Sequence, residues 1–182
     1  MKVSFELSKR DLRFFRERLK QVRSSGKSLD ESVVIHGAES MVEEAIESEP
    51  PDFVLQRIGT LEKLVEMLRD EDWRLEGRDR ARIIDALAYF VDPDDLIPDK
   101  IPGIGYIDDA IMVELVSIEL KHEIAAYDDF CSYRDAQPTK EGLKKLETRR
   151  AALHQRMRRR RRRERSTKKT RGSSAGSRLR LW

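Results

Sequence analysis

The chain has 182 residues, 39% charged and 38% hydrophobic, which is enough apolar content for one modest core. Its net charge of +3 conceals an asymmetry. Residues 1–148 carry 22 Lys+Arg against 33 Asp+Glu, a net of −11, whereas residues 149–182 carry 15 against 1, a net of +14. Met1–Lys20 lacks the apolar run of a secretory signal, so none is expected. No window offers the ~18 apolar residues of a membrane span. The best stretch, residues 101–120, is broken by Asp108, Asp109, Glu114 and Glu119, so no transmembrane segment is expected. A single Cys131 excludes an internal disulfide or a CxxC site. The expected location is cytoplasmic, or peripheral to a membrane.

Helical periodicity recurs along the chain while strand-like alternation is absent, so the fold class is all-α. Ser8 with Asp11 signals a first helix that carries Leu12, Phe15, Leu19 and Val22 on one face and ends near Ser24–Gly26. Ser28 with Glu31 reads as the capping box of a second, with Val34, Met41, Ala45 and Ile46 available for burial. Pro50–Pro51 opens a third, carrying Phe53, Val54, Ile58, Leu61, Leu64, Val65 and Leu68. Asp70–Gly77 is a polar connection in which Trp73 is expected to pack partly against its neighbours. Asp79–Val91 is apolar nearly all round and therefore central, stopping before Pro93.

The next helix is the longest, roughly Ile107–Asp135, with a kink or break expected near Asp128–Asp129. His122 lies on one of its apolar stripes and reads as a hydrogen-bonded core residue. Cys131 reads as a packing residue, because nine residues along a helix place it about 13 Å from His122, too far for a catalytic dyad. Thr139 caps a last helix with Leu143, Leu146, Leu153 and Met157, running into Arg158–Arg163. The sequence thus divides into an acidic helical domain of about five to six helices, residues 1–148, and a basic, largely disordered tail, residues 149–182. Ser, Gly, Lys and Arg dominate after Ser166, a composition too poor in apolar groups to offset ordering entropy.

One stretch is specific. Pro93, Asp95-Leu96-Ile97-Pro98-Asp99, Pro102, Gly105 and Asp108-Asp109 interleave prolines, glycines and aspartates with large apolar residues. That composition suits a stiff, structured loop between two central helices, an αα-hairpin over about residues 83–116. The pattern resembles the YkvA-like family of small bacterial helical proteins. The resemblance covers about a fifth of the chain and implies a fold element rather than an activity, since the family has no agreed biochemical role. Some of its members look membrane-associated.

The aspartates of this loop have two readings. In the first, Asp108 and Asp109 meet the unpaired N–H groups of a helix start, and Asp95 and Asp99 make Asx turns. In the second, Asp95, Asp99, Asp108 and Asp109 offer oxygen ligands to Mg²⁺, Mn²⁺ or Ca²⁺. No nucleophile or base accompanies them, so catalytic residues are not expected. The tail offers Arg149, Arg150, Arg156, Arg158, Arg159, Arg160, Arg161, Arg162, Arg163, Arg165, Lys168, Lys169 and Arg171 to a polyanion. Arginine grips phosphate bidentately, and neutralised phosphates release counterions, so nucleic acid, RNA or DNA, is the leading expected partner. The acidic body itself, onto which a solvated tail would fold back, is the second claimant. An anionic lipid surface is the third. The expectation is a non-enzymatic helical interaction module, with a metal-binding or metal-dependent enzyme as the alternative.

Overall fold

Helix starts form where polar side chains meet backbone N–H groups, and the first two begin this way. The computed structural model describes residues 8–24, 30–91, 105–137 and 140–170. In helix α1 (Lys9–Ser24), Ser8 Oγ accepts from the Asp11 N–H at 3.2 Å and Asp11 Oδ2 accepts from the Ser8 N–H at 2.9 Å, a reciprocal box as expected. Helix α2 (Glu31–Glu47) is capped differently from expectation. Asp30 Oδ1 accepts the Ser32 N–H at 2.9 Å, and Ser28 lies outside the described residues. Asp30 takes the role because a carboxylate there also meets the positive end of the helix.

Helix α3 (Asp52–Arg69) follows Pro51, and α4 (Gly77–Leu87) runs into a 3-10 turn, Ala88–Val91. Helix α5 (Ile107–Glu119) and helix α6 (Lys121–Ala136) replace the single long helix expected between 107 and 135. The break falls at Leu120, not near Asp128–Asp129. Leu120 N–H still bonds the Val116 carbonyl at 2.8 Å, but its side chain is driven into the core and the helix axis turns there. Helix α7 (Lys140–Thr170) completes the chain, and no strand occurs among the described residues.

The core is one continuous cluster. Helix α2 lies along α3, and the two arms of the central hairpin, α4 and α5, both rest on α3. Helix α5 buries Ala110, Ile111, Met112, Val113, Leu115 and Val116, apolar nearly all round as a central helix must be. Helix α1 closes over α4, α5 and the 3-10 turn. Gly37 lets α2 approach that turn: a Cβ there would stand 2.7 Å from Val91 Cγ1. This close approach accounts for a glycine in a helix interior, where it costs about 1 kcal/mol relative to Ala.

The α3–α4 connection has a larger role than its polar composition suggests. Asp70 Oδ1 accepts the Trp73 N–H at 2.9 Å, and Arg74 takes positive φ at 46°. The turn thereby drops Trp73 inward until it is 0% exposed. Its ring meets Tyr127 (5.7 Å), Phe130 (5.0 Å) and His154 (4.3 Å), joining α6 and α7 to the body. Asp70 Oδ2 accepts from Tyr127 Oη at 3.0 Å and from Arg134 Nη1 at 2.8 Å, which fastens the same turn to α6. Trp73 is thus the centre of an aromatic cluster, not a partly packed surface residue.

Helix α7 runs from Lys140 to Thr170 through the charge boundary at Arg149, in line with a last helix that runs into Arg158–Arg163. Leu146, Leu153 and Met157 continue one apolar stripe through the arginines and bury against the body, and α7 packs along α6. That burial ends at Met157, and the ion pairs of Arg158 and Arg161 continue the docking beyond it; residues 171–182 lie outside the described residues.

Trp73→Ala should cost about 3–5 kcal/mol of unfolding free energy. Urea denaturation followed by far-ultraviolet circular dichroism reads it, and an unchanged midpoint would refute Trp73 as the packing centre.

Candidate functional site

The residues singled out by the loop motif separate in the structure. Pro93, Asp95, Leu96, Ile97, Pro98, Asp99 and Pro102 lie outside the described residues. Gly105 is buried just ahead of α5, and Asp108 and Asp109 stand in its first turn, 1% and 5% exposed. Both take part in polar interactions with their surroundings. Their position is the one in which a carboxylate stabilises a helix start. Among the described residues, no group of three or more His, Cys, Asp or Glu side chains is placed to hold a metal.

The acids that organise the molecule lie elsewhere. Asp79 in the first turn of α4 is 3% exposed, and Glu123 in α6 is 0% exposed. Two buried carboxylates need cations, and α7 delivers one between them. Arg161 Nη2 binds Asp79 Oδ1 at 2.8 Å, and Arg161 Nη1 binds Glu123 Oε1 at 2.7 Å. Arg158, one turn earlier, donates from Nε to Asp79 Oδ2 at 2.6 Å. Arg82 Nε reaches Glu123 Oε1 at 3.0 Å from α4. Burial alone would push the Asp79 carboxyl up; the hydrogen bonds from Arg158 and Arg161 outweigh it and hold the carboxyl below its ordinary 3.8. Burial likewise disfavours the Arg161 charge, and Asp79 and Glu123 reverse that effect.

This seat divides the basic residues into two sets. Arg149 lies over the Tyr133 ring at 5.4 Å, Arg150 bonds Glu147 and the Asp72 carbonyl, and Arg156 pairs with Asp129. With Arg158 and Arg161 these are committed to the body. Arg159, Arg160, Arg162, Arg163 and Arg165 are exposed and make no ion pair among the described residues. They cover the solvent half of α7. Lys168 and Lys169 continue its backbone with side chains outside the description, and Arg171 lies beyond it.

The histidines and the cysteine serve the packing. His122 is hydrogen-bonded as expected, its Nε2 meeting Glu164 Oε2 at 2.7 Å, but it is half-buried between α6 and α7 and not in the core. His154 is half-buried edge-on to Trp73, and its buried Nε2 finds no hydrogen-bond partner among the described residues. Burial, with Arg158 beside the ring, holds its pKa below the ordinary 6.5; Arg150 acts the same way, and Asp79 and Glu76 oppose. Cys131 is half-buried, and burial pushes its thiol up, away from the thiolate a nucleophile needs.

The family described as "Protein of unknown function (DUF1232)" matches residues 79–115, from the buried aspartate of α4 to the middle of α5. A protein of Bacillus subtilis (strain 168), named "Uncharacterized membrane protein YkvA", is 33% identical over 75 residues, 41% of this chain and 71% of the relative. The chain belongs to the YkvA-like family. No solved structure matches it. The family segment contributes Asp79 and Arg82 to the ion-pair network, while Glu123, Arg158 and Arg161 come from outside the segment. No described helix is long and apolar enough to cross a membrane.

Removing Arg161 leaves two buried carboxylates short of a cation, so Arg161→Ala should lose about 3–5 kcal/mol. Thermal unfolding at pH 7 reads it; a change below about 1 kcal/mol would mean α7 is held by its apolar stripe alone. His154 sets a pH dependence. Below pH 6.5 the unfolded chain takes up a proton at this residue that the folded chain refuses, so its contribution to stability is present above that pH and lost beneath it. The fall in Tm from pH 7.5 to pH 5.5 should therefore be steeper in the wild type than in His154→Gln, and equal slopes would refute the assignment.

Proposed function

We propose that this YkvA-like protein is a non-enzymatic module that adsorbs to an anionic membrane surface through the exposed arginines of α7. The observation that carries the reading is the division of the arginines. Arg158 and Arg161 are consumed by buried acids, and this turns Arg159, Arg160, Arg162, Arg163 and Arg165 outward on a rigid, docked helix. A pre-ordered ridge meets a charged surface without the entropy loss that a free tail would suffer. Each cation near an anionic bilayer gains about 1 kcal/mol. The relative's name as a membrane protein supports the same target. The apolar stripe of α7 is spent on the body, so the attachment is electrostatic and peripheral.

Nucleic acid is the second reading. It is favoured by the ridge itself, which presents arginine and no described apolar side chain to wedge among acyl chains. Arginine forks suit a line of phosphates equally well.

Flotation with phosphatidylcholine vesicles, with and without phosphatidylglycerol, tests the first reading. Binding should require phosphatidylglycerol and fall with salt, and Arg159→Glu/Arg162→Glu/Arg163→Glu should weaken it about a hundredfold. Undiminished flotation of that variant would overturn the reading. If instead the variant binds vesicles normally while its salt slope on single-stranded RNA drops by about 2, the ridge is a nucleic-acid site.

A further inference from the structure

A cleft of about 510 Å³ opens where α1 meets the α5–α6 corner and the end of α7. Its chemistry is divided. Leu19, Leu115 and Ile118 form an apolar floor, and Ile118 remains 42% exposed, one of few large apolar side chains so placed. Arg16 and Lys20 from α1 and Arg165 from α7 stand at the rim, and none of the three makes an ion pair among the described residues. Arg82 and Arg161 line the same wall, but their charges are already matched by Glu123 and Asp79. Two acids line the cleft as well: Glu164 is paired with Lys121 and His122, and Glu119 also has a partner. At the rim, Arg16, Lys20 and Arg165 thus stand as cations without an ion pair among the described residues, above one exposed apolar side chain, Ile118, seated on the nearly buried Leu19 and Leu115.

The geometry points to a site for one anionic amphiphile, a lipid whose phosphate head meets Arg16, Lys20 and Arg165 while its acyl chain covers Leu19, Leu115 and Ile118. Charge complementarity selects the head: a neutral lipid would leave three cations without partners. The floor selects the chain. Inorganic phosphate would leave Ile118 in water, and a nucleotide finds no Phe, Tyr or Trp among the described lining residues, the one ring there, His122, being held by Glu164. The volume is that of a small-molecule site. The site stands apart from the α7 ridge, sharing only Arg165 with it, so it holds whether or not the ridge binds bilayers. Where both act, a lipid drawn from the surface would be held as a single bound molecule.

Isothermal titration calorimetry on the full chain, with dodecyl phosphate below its micelle concentration, tests the assignment. The expected result is saturable binding of one molecule per chain. Inorganic phosphate and the neutral dodecyl maltoside should each bind at least tenfold more weakly. Ile118→Gln and Arg16→Glu/Lys20→Glu, both at exposed positions that leave the core intact, should each weaken dodecyl phosphate at least tenfold. Arg159→Glu/Arg162→Glu/Arg163→Glu should retain one-to-one binding, which separates failure of the ridge from failure of the cleft. The proposal is overturned if phosphate binds as tightly as dodecyl phosphate, or if neither cleft variant changes the affinity. Non-saturable binding with loss of near-ultraviolet circular dichroism, the behaviour of a denaturing detergent, would overturn it as well.

Discussion

Asp79 and Glu123 are carboxylates placed in the interior of a small helical protein, and a charge in that position is tolerated only with a cation against it. Arg161 bridges the two, and Arg158 and Arg82 complete the set. This requirement determines the placement of α7. The helix has to lie where Arg161 reaches both acids, and its apolar stripe then faces α6 and the Trp73 cluster. Ion pairs and apolar burial thus specify the same docking, each supplying what the other lacks. The apolar stripe has little directionality, and the ion pairs set register.

The same docking gives the surface of the molecule its character. A helix has one face, and α7 gives that face to the body. Its remaining arginines are therefore gathered on the solvent side at helical spacing, held in place by contacts they do not themselves make. The cleft beside α1 draws on the same docking, because α7 brings Arg165 to its rim. The family segment supplies one wall of this arrangement and half of the buried network. The basic helix, outside the matched segment, supplies the other half. A segment shared with a small relative thus serves here as the platform on which a further helix is seated.

Local signals were readable wherever the physics is local. Ser8 and Asp11 announce a helix start because the two groups that bond are three residues apart. The apolar stripes of α3 and α5 mark their buried faces because periodicity reports on one element at a time. Asp30 displaced Ser28 as the cap of α2 because several polar residues in a row offer equivalent signals. The break at Leu120 left no mark, since neither Gly nor Pro is present, and the turn there comes from packing against neighbouring helices. Asp70, Asp79 and Glu123 were not singled out as a set. Their side-chain partners lie between 38 and 82 residues away along the chain, and no spacing in the sequence announces such a pairing.

Charge distribution, helical class and the loop motif with the family it marks were determined by the sequence by itself. Each depends only on residue identity or on neighbours within a few turns of chain. Only the tertiary structure decided which arginines pair with the body and which face solvent. Composition places them in one basic segment, and periodicity carries the last helix into Arg158–Arg163 without saying what it packs against. The decision between a solvated tail and a docked helix rests on two acids buried far away in sequence, because a charge is stabilised by what surrounds it in space. The division into arginines that hold the fold together and arginines that face outward exists only once those acids are in place.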